Sequence, residues 1–214
     1  MAAKKTSKPK QAPLTFDLYL AKVRAIYEGL ELTPPAAKPP ATAAKLAAFE
    51  KAIGHALSPA LRAAWRVANG AGQYLDAPVL WENDDSSGFE LLSVEAAQKQ
   101  HAGHAKLAKQ YVDADYGDPK PRGPRIASGW FLPGWVPFAS FGGGSLRLMV
   151  DYTPGKKGTA GQIIGFVHDP DAMHWVASSF EDLLAQSLEA FEGESEYMLQ
   201  HLLEDQDVDD DDDS

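Results

Sequence analysis

Residues 134–184 read GWVPFASFGGGSLRLMVDYTPGKKGTAGQIIGFVHDPDAMHWVASSFEDLL, and this stretch decides the fold. Apolar runs at Trp135–Ala139, Leu146–Tyr152, Gln162–Val167 and His174–Ala177 have strand length and are joined by turn-forming clusters. Between the first two lie Gly142, Gly143 and Gly144, a tight turn or bulge that only glycine fits. Leu146, Leu148 and Val150 alternate with Arg147, Met149 and Asp151, which predicts one buried face and one partly wet face. Gln162–Val167 is almost continuously apolar and suits an interior strand. Ser178 and Glu181 have capping-box spacing ahead of a helix striped by Phe180, Leu183, Leu184, Leu188 and Phe191, with Gly193 as an expected kink. Strands joined by short turns imply antiparallel pairing.

Upstream the pattern is helical. Phe16, Tyr19, Leu20, Val23, Ile26, Tyr27 and Leu30 form one stripe from Thr15 onward. Four prolines in Glu31–Ala41 then predict an extended linker, so the first helix is either an attachment to the main domain or a separate arm. Thr42 caps a second helix buried through Leu46, Phe49 and Ile53 and stopped by Gly54. Ser58–Pro59 opens a third, with Leu61, Ala64, Trp65 and Ala68 facing inward and Asn69–Gly70 ending it through positive φ. Tyr74–Trp81 and Phe89–Leu92 read as strands around the acidic turn Glu82–Gly88. A weakly amphipathic helix runs from Val94 to about Asp113, followed by loop at Asp115–Ser128 and a short apolar run at Trp130–Phe131. The order of elements predicts an α+β domain with a mostly antiparallel sheet flanked by helices. The expected organisation is a disordered basic N-terminus (1–13), a helical arm and Pro-rich linker (14–41), the domain proper (42–203) and an acidic disordered tail (204–214).

The chain has 214 residues, 44% of them hydrophobic, enough for a real core. It has no cysteine, which removes disulfides, thiolate zinc sites and cysteine nucleophiles and fits a reducing compartment. Its net charge is −10; residues 1–10 carry +4 and residues 204–214 carry −8, which leaves −6 on the body. An acidic body argues against direct binding to nucleic-acid phosphates and suits encounter with a basic partner. No apolar run approaches the roughly 20 residues of a membrane helix, and no signal core follows the basic start, so a cytoplasmic protein with no membrane association is expected.

Chemical motifs fail their context tests. A dinucleotide fingerprint at Gly142–Gly144 needs a glycine where Arg147 stands and a helix next; a strand follows instead. Gly155–Lys156–Lys157 lacks the upstream glycine and the hydroxyl of a phosphate-binding loop. His101 and His104 share a helix face, read as solvated, but two imidazoles alone do not make a catalytic zinc site. His168, Asp169 and His174 flank a turn, with no nucleophile in a recognisable setting. The sequence therefore calls for no cofactor, no metal and no catalytic residue. Two acidic clusters, Glu82, Asp84 and Asp85, and Asp113, Asp115 and Asp118, are either solvated turns or a face that meets basic groups of a partner. Trp130 and Trp135 are either core or a partly exposed pair that anchors a partner.

Taken in order and spacing, certain residues resemble the SUKH superfamily, which includes fungal regulators of cell-wall glucan synthesis and many bacterial immunity proteins. They are Leu61-x-x-x-Trp65-x-x-x-Asn69–Gly70, Trp135–Val136–Pro137–Phe138–Ala139, Gly142–Gly144, Leu146-x-Leu148-x-Val150–Asp151, Pro154–Gly155, Gly161–Gln162–Ile163–Ile164 and Val176–Ala177–Ser178–Ser179–Phe180. The match covers roughly Leu46 to Leu188. Where this chain has Ser140–Phe141, family members often carry an acidic or amide residue. The resemblance implies a non-catalytic domain that binds another protein: a toxin-neutralising immunity protein whose target acts in the cytosol, a nuclease for example, or else a regulatory scaffold. It also matches Asp151 to the family's strand-end aspartate, which on its own reads as a cap for the Thr153–Gly158 turn.

Overall fold

The computed structural model describes residues 14–77, 80, 88–115, 117–118, 120, 122–169 and 171–207, the last fourteen by their backbone. Among the described residues five α-helices and six strands make an α+β fold: α1 (Phe16–Gly29), α2 (Ala43–Ile53), α3 (Pro59–Val67), β1 (Ala71–Leu75), β2 (Phe89–Leu91), α4 (Val94–Asp113), β3 (Trp135–Phe141), β4 (Leu146–Asp151), β5 (Gln162–Val167), β6 (Ala172–Ala177) and α5 (Phe180–Asp207). The strands form one antiparallel meander in the order β1-β2-β3-β4-β5-β6. Among the described residues no helix is long and apolar enough to cross a membrane.

Local chemistry explains the helix starts. Thr42 Oγ1 accepts from the Lys45 N–H, Ser58 Oγ from Leu61 and Ser93 Oγ from Ala96, each satisfying an amide the helix leaves orphaned. Gly54 ends α2 in the left-handed conformation at φ 74°. The end of α3 differs from expectation. Ala68 is already extended, and only Gly70 takes a positive φ, of 106°. Asn69 acts through its side chain instead: Oδ1 accepts from Val94 N (2.8 Å) and Nδ2 donates to Glu95 (3.1 Å), so it brackets the start of α4. The cap of α5 is likewise shifted by one residue. Ser179 Oγ accepts from Asp182 N, and the Asp182 carboxylate returns to the N–H and hydroxyl of Ser178. Those bonds hold the Asp182 carboxyl below its usual pKa. The helix is continuous through Gly193 and runs to Asp207, four residues into the stretch read as a tail.

Two cores lie on the two faces of the sheet. The larger joins α1, α2, α3, α5 and the first turn of α4 to Val136, Phe138, Leu148, Val150, Ile163 and Val176. Trp65 anchors it, edge-on to Phe49 at 5.4 Å and donating Nε1–H to Leu92 O at 2.8 Å. The first helix packs into this core through Phe16, Tyr19, Leu20, Val23 and Tyr27. Tyr19 hydroxyl donates to Tyr74 O and meets Ser187 Oγ at 2.6 Å, and Ser187 Oγ also accepts from Asp76 N, so α1, β1 and α5 are tied together inside. Of the two alternatives for α1, its packing matches an attachment to the domain. The Pro-rich segment is no free linker either: Ala36 O accepts from Gly72 N and Lys38 N donates to Gly70 O, laying it along the outer edge of β1.

The second core holds Ile126, Trp130, Phe131, Trp135, Met149, Ile164, Phe166 and Met173, with Leu107, Ala108, Tyr111 and Leu132 packed on it. Its cover is the irregular segment 122–134 and the later turns of α4. The face of β4 expected to be partly wet is thus roofed over at Met149 and Asp151, leaving Arg147 half-buried. The short apolar run Trp130–Phe131 is part of this irregular cover. The cover is seated by close backbone approach: Gly155 N donates to Arg125 O and Lys157 N to Pro124 O, and a Cβ on Gly155 would stand 2.7 Å from Pro124 O.

Candidate functional site

The meander brings the β3–β4 turn and the β5–β6 turn to one end of the sheet. At that end Gly142, Gly143 and Gly144 all adopt positive φ (56°, 64° and 98°), a run that side-chain-bearing residues rarely enter. Beside it Arg147 projects from β4 onto the second face. Its Nε–H donates to Gly144 O at 2.9 Å, and its guanidinium lies 5.7 Å from the Phe131 ring and 5.9 Å from the Phe166 ring. Burial draws the pKa of this arginine down. In the β5–β6 turn, His168 Nδ1 meets Asp171 Oδ1 at 2.8 Å in an exposed pair, and Asp169 sits at φ 62°. His174 lies on β6.

His104, read as part of a solvated helix face, is buried at 2% exposure. Its ring lies 4.8 Å from Phe131, and neither ring nitrogen completes a hydrogen bond. Its pKa falls to about 3, first through burial, then through the nearby Arg147 and His101 charges, with the Trp135 backbone opposing weakly. His101 stays at the rim and bonds Pro133 O at 2.8 Å. Together with Trp130, Phe131, Leu132 and Pro133 the two histidines line a cavity of about 290 Å³.

The expected site residues separate into groups. Glu82, Asp84 and Asp85 lie outside the described residues, as does Trp81. Asp113 pairs with Lys109 at 2.5 Å and Asp118 with Arg122 at 2.7 Å, so two of the acidic groups already hold basic partners within the chain. Asp115 is exposed, in a left-handed conformation at the end of α4. The exposed-pair reading of Trp130 and Trp135 is corrected. Trp135 is fully buried and Trp130 is stacked on Tyr111 at 4.2 Å, because segment 122–134 folds back over the sheet. Of the motif positions, Trp65, Asn69 and Ser179 have the bracing roles given above, and a Cβ on Gly70 would stand 3.2 Å from Ser93 N. Pro137 marks a register shift in β3. Gly161, at φ 92°, donates to Asp151 O at 2.7 Å.

Asp151 is the polar centre of the second face. Oδ1 accepts from Thr153 N (2.9 Å) and Oδ2 from Gln162 Nε2 (2.9 Å), which caps the turn after β4 as expected. Burial nevertheless raises its pKa, against these bonds and the facing Trp135 indole, whose N–H lies outside hydrogen-bond geometry. Among the described residues no group of three or more His, Asp or Glu is placed to hold a metal ion. Sequence reasoning passed over Arg147; the available signal was a lone cation on the polar side of an otherwise apolar strand beside the glycine turn.

Residues 40–186 match the SMI1 / KNR4 family (SUKH-1). The chain belongs to this family. No curated protein sequence matches it. The SUKH-1 match begins at the Pro-rich segment and stops within α5, so α1, Leu188 and Phe191 lie outside it while sharing its core. Within it fall the glycine turn, Arg147, the His104 cavity and Asp151.

Proposed function

We propose that this SUKH-1 protein is a non-catalytic binding module: an immunity protein that neutralises a cognate toxin acting in the cytoplasm. Membership in SUKH-1 across residues 40–186 carries this reading. The net charge of −10 supports a basic toxin, a nuclease being one such, whose approach it would accelerate in a salt-sensitive way. The alternative is a regulatory scaffold, which a Pro-rich linker suited to tethering and long termini would favour; the first of these supports weakens because residues 36–38 are bonded along β1. Co-expression with the product of an adjacent toxin-like gene tests the proposal. A stable complex and restored growth are expected; absence of both would sink it.

A further inference from the structure

The chain has 30 acidic and 20 basic residues, so a cation need not go without a counter-ion. Lys22, Lys45, Arg62, Lys109 and Arg122 each reach a carboxylate. Arg147 is half-buried, yet among the described residues no carboxylate reaches it. A guanidinium taken partly out of water without an anion is costly. Here the Phe131 and Phe166 rings, set edge-to-face at 66° to one another, both lie within 6 Å of the guanidinium, which offsets part of that cost. The Nε–H bond to Gly144 O fixes the plane of the fork and leaves both Nη groups for another acceptor. Gly143, exposed at the tip of the neighbouring turn, has nothing within 4 Å of where a Cβ would stand.

We propose that the Arg147 fork, against Phe131 and Phe166 beside Gly142–Gly144, seats one carboxylate side chain of the protein partner. A carboxylate matches two parallel Nη–H donors in one plane. A nucleic-acid strand has the same attraction to one arginine, but a chain of net charge −10 repels a polyanion, whereas one aspartate or glutamate on a basic protein meets no such field. The inference rests on the reading that this domain binds a protein and adds where and through what chemistry. The seat would set the register of a complex whose encounter rate comes from the wider acidic surface.

The full chain, labelled with ¹⁵N, is titrated with N-acetyl-glutamate methylamide while the Arg147 side-chain N–H signals are followed by NMR. A saturable shift is expected, larger than that of exposed Arg66, absent with the glutamine analogue and abolished in Arg147→Gln. The proposal is overturned if Arg147 responds no more than Arg66, or responds more strongly to inorganic phosphate. It is equally overturned if Asp84→Asn/Asp85→Asn alters the free-state Arg147 signals as an intramolecular partner would. Thermal midpoints of Arg147→Gln and Arg147→Lys establish that both variants fold. Against the co-purifying partner, Arg147→Gln is expected to weaken affinity at least about thirtyfold, and Arg147→Lys about tenfold. Affinities within about twofold of wild type would place the partner elsewhere while leaving the immunity reading intact. If the wild type captures no partner, that reading fails, and the glutamate titration alone decides the role of Arg147.

Discussion

The two faces of the sheet are built on different principles. One is covered by helices whose stripes are apolar, and its buried polar groups are bonded where Tyr19, Ser187 and Asp76 join α1, β1 and α5. The other is covered mainly by loop and carries a protonatable His104, a half-buried Arg147 and a buried Asp151 among its aromatics. The first face is organised for stability, since burial of large apolar side chains dominates folding. The second holds polar groups in an apolar setting, at a price in stability that the first face can bear.

The comparison can be broken most sharply with tryptophan. Trp65→Ala should cost about 4 kcal/mol, since it empties the centre of the first face and leaves the Leu92 carbonyl without its donor. Trp130→Ala, at the rim of the second face, should cost about 2 kcal/mol. Urea midpoints read both; equal losses would erase the distinction.

Acid offers a second test. The folded state holds His104 near pKa 3, below the ordinary value of about 6.5, so the unfolded chain takes up the proton first. The His104 contribution is complete above about pH 6.5 and declines toward pH 3, by at most about 1.4 kcal/mol per pH unit. His104→Leu should flatten this part of the stability profile; a wild-type-minus-variant difference that stays constant from pH 7 to 4 would contradict the burial of a neutral imidazole there. The smallest effect belongs to Asp113→Asn. Its pair with Lys109 is solvent-exposed, so stability should change by less than about 0.5 kcal/mol. A larger change would show that the end of α4 is more tightly coupled to the second face than its exposure implies.

The first face was legible in the sequence because its rules are local. The start of α4 and the caps at Thr42 and Ser58 follow from spacing and φ preference. The second face was largely hidden. Nothing in the segment 122–134, rich in proline and glycine, announces that it will fold back and bury Trp130 and Trp135. His104 sits among alanines and lysines, where helical periodicity is weak, so its burial is decided by Phe131 from a distant segment. Asn69 was placed correctly at the end of α3 but given the wrong mechanism, because backbone preference does not foresee a side chain that reaches Val94. Capping and alternation are short-range signals; the carboxylate seat depends on which segment covers which strand.

The strap at residues 36–38 has a practical consequence for anyone trimming the protein. A fragment cut to the family boundary at residue 40 would lose α1 and also uncover the amides and carbonyls along β1. A bare strand edge of that kind recruits other chains, so such a fragment would be adhesive and prone to precipitate, although every family motif would still be present.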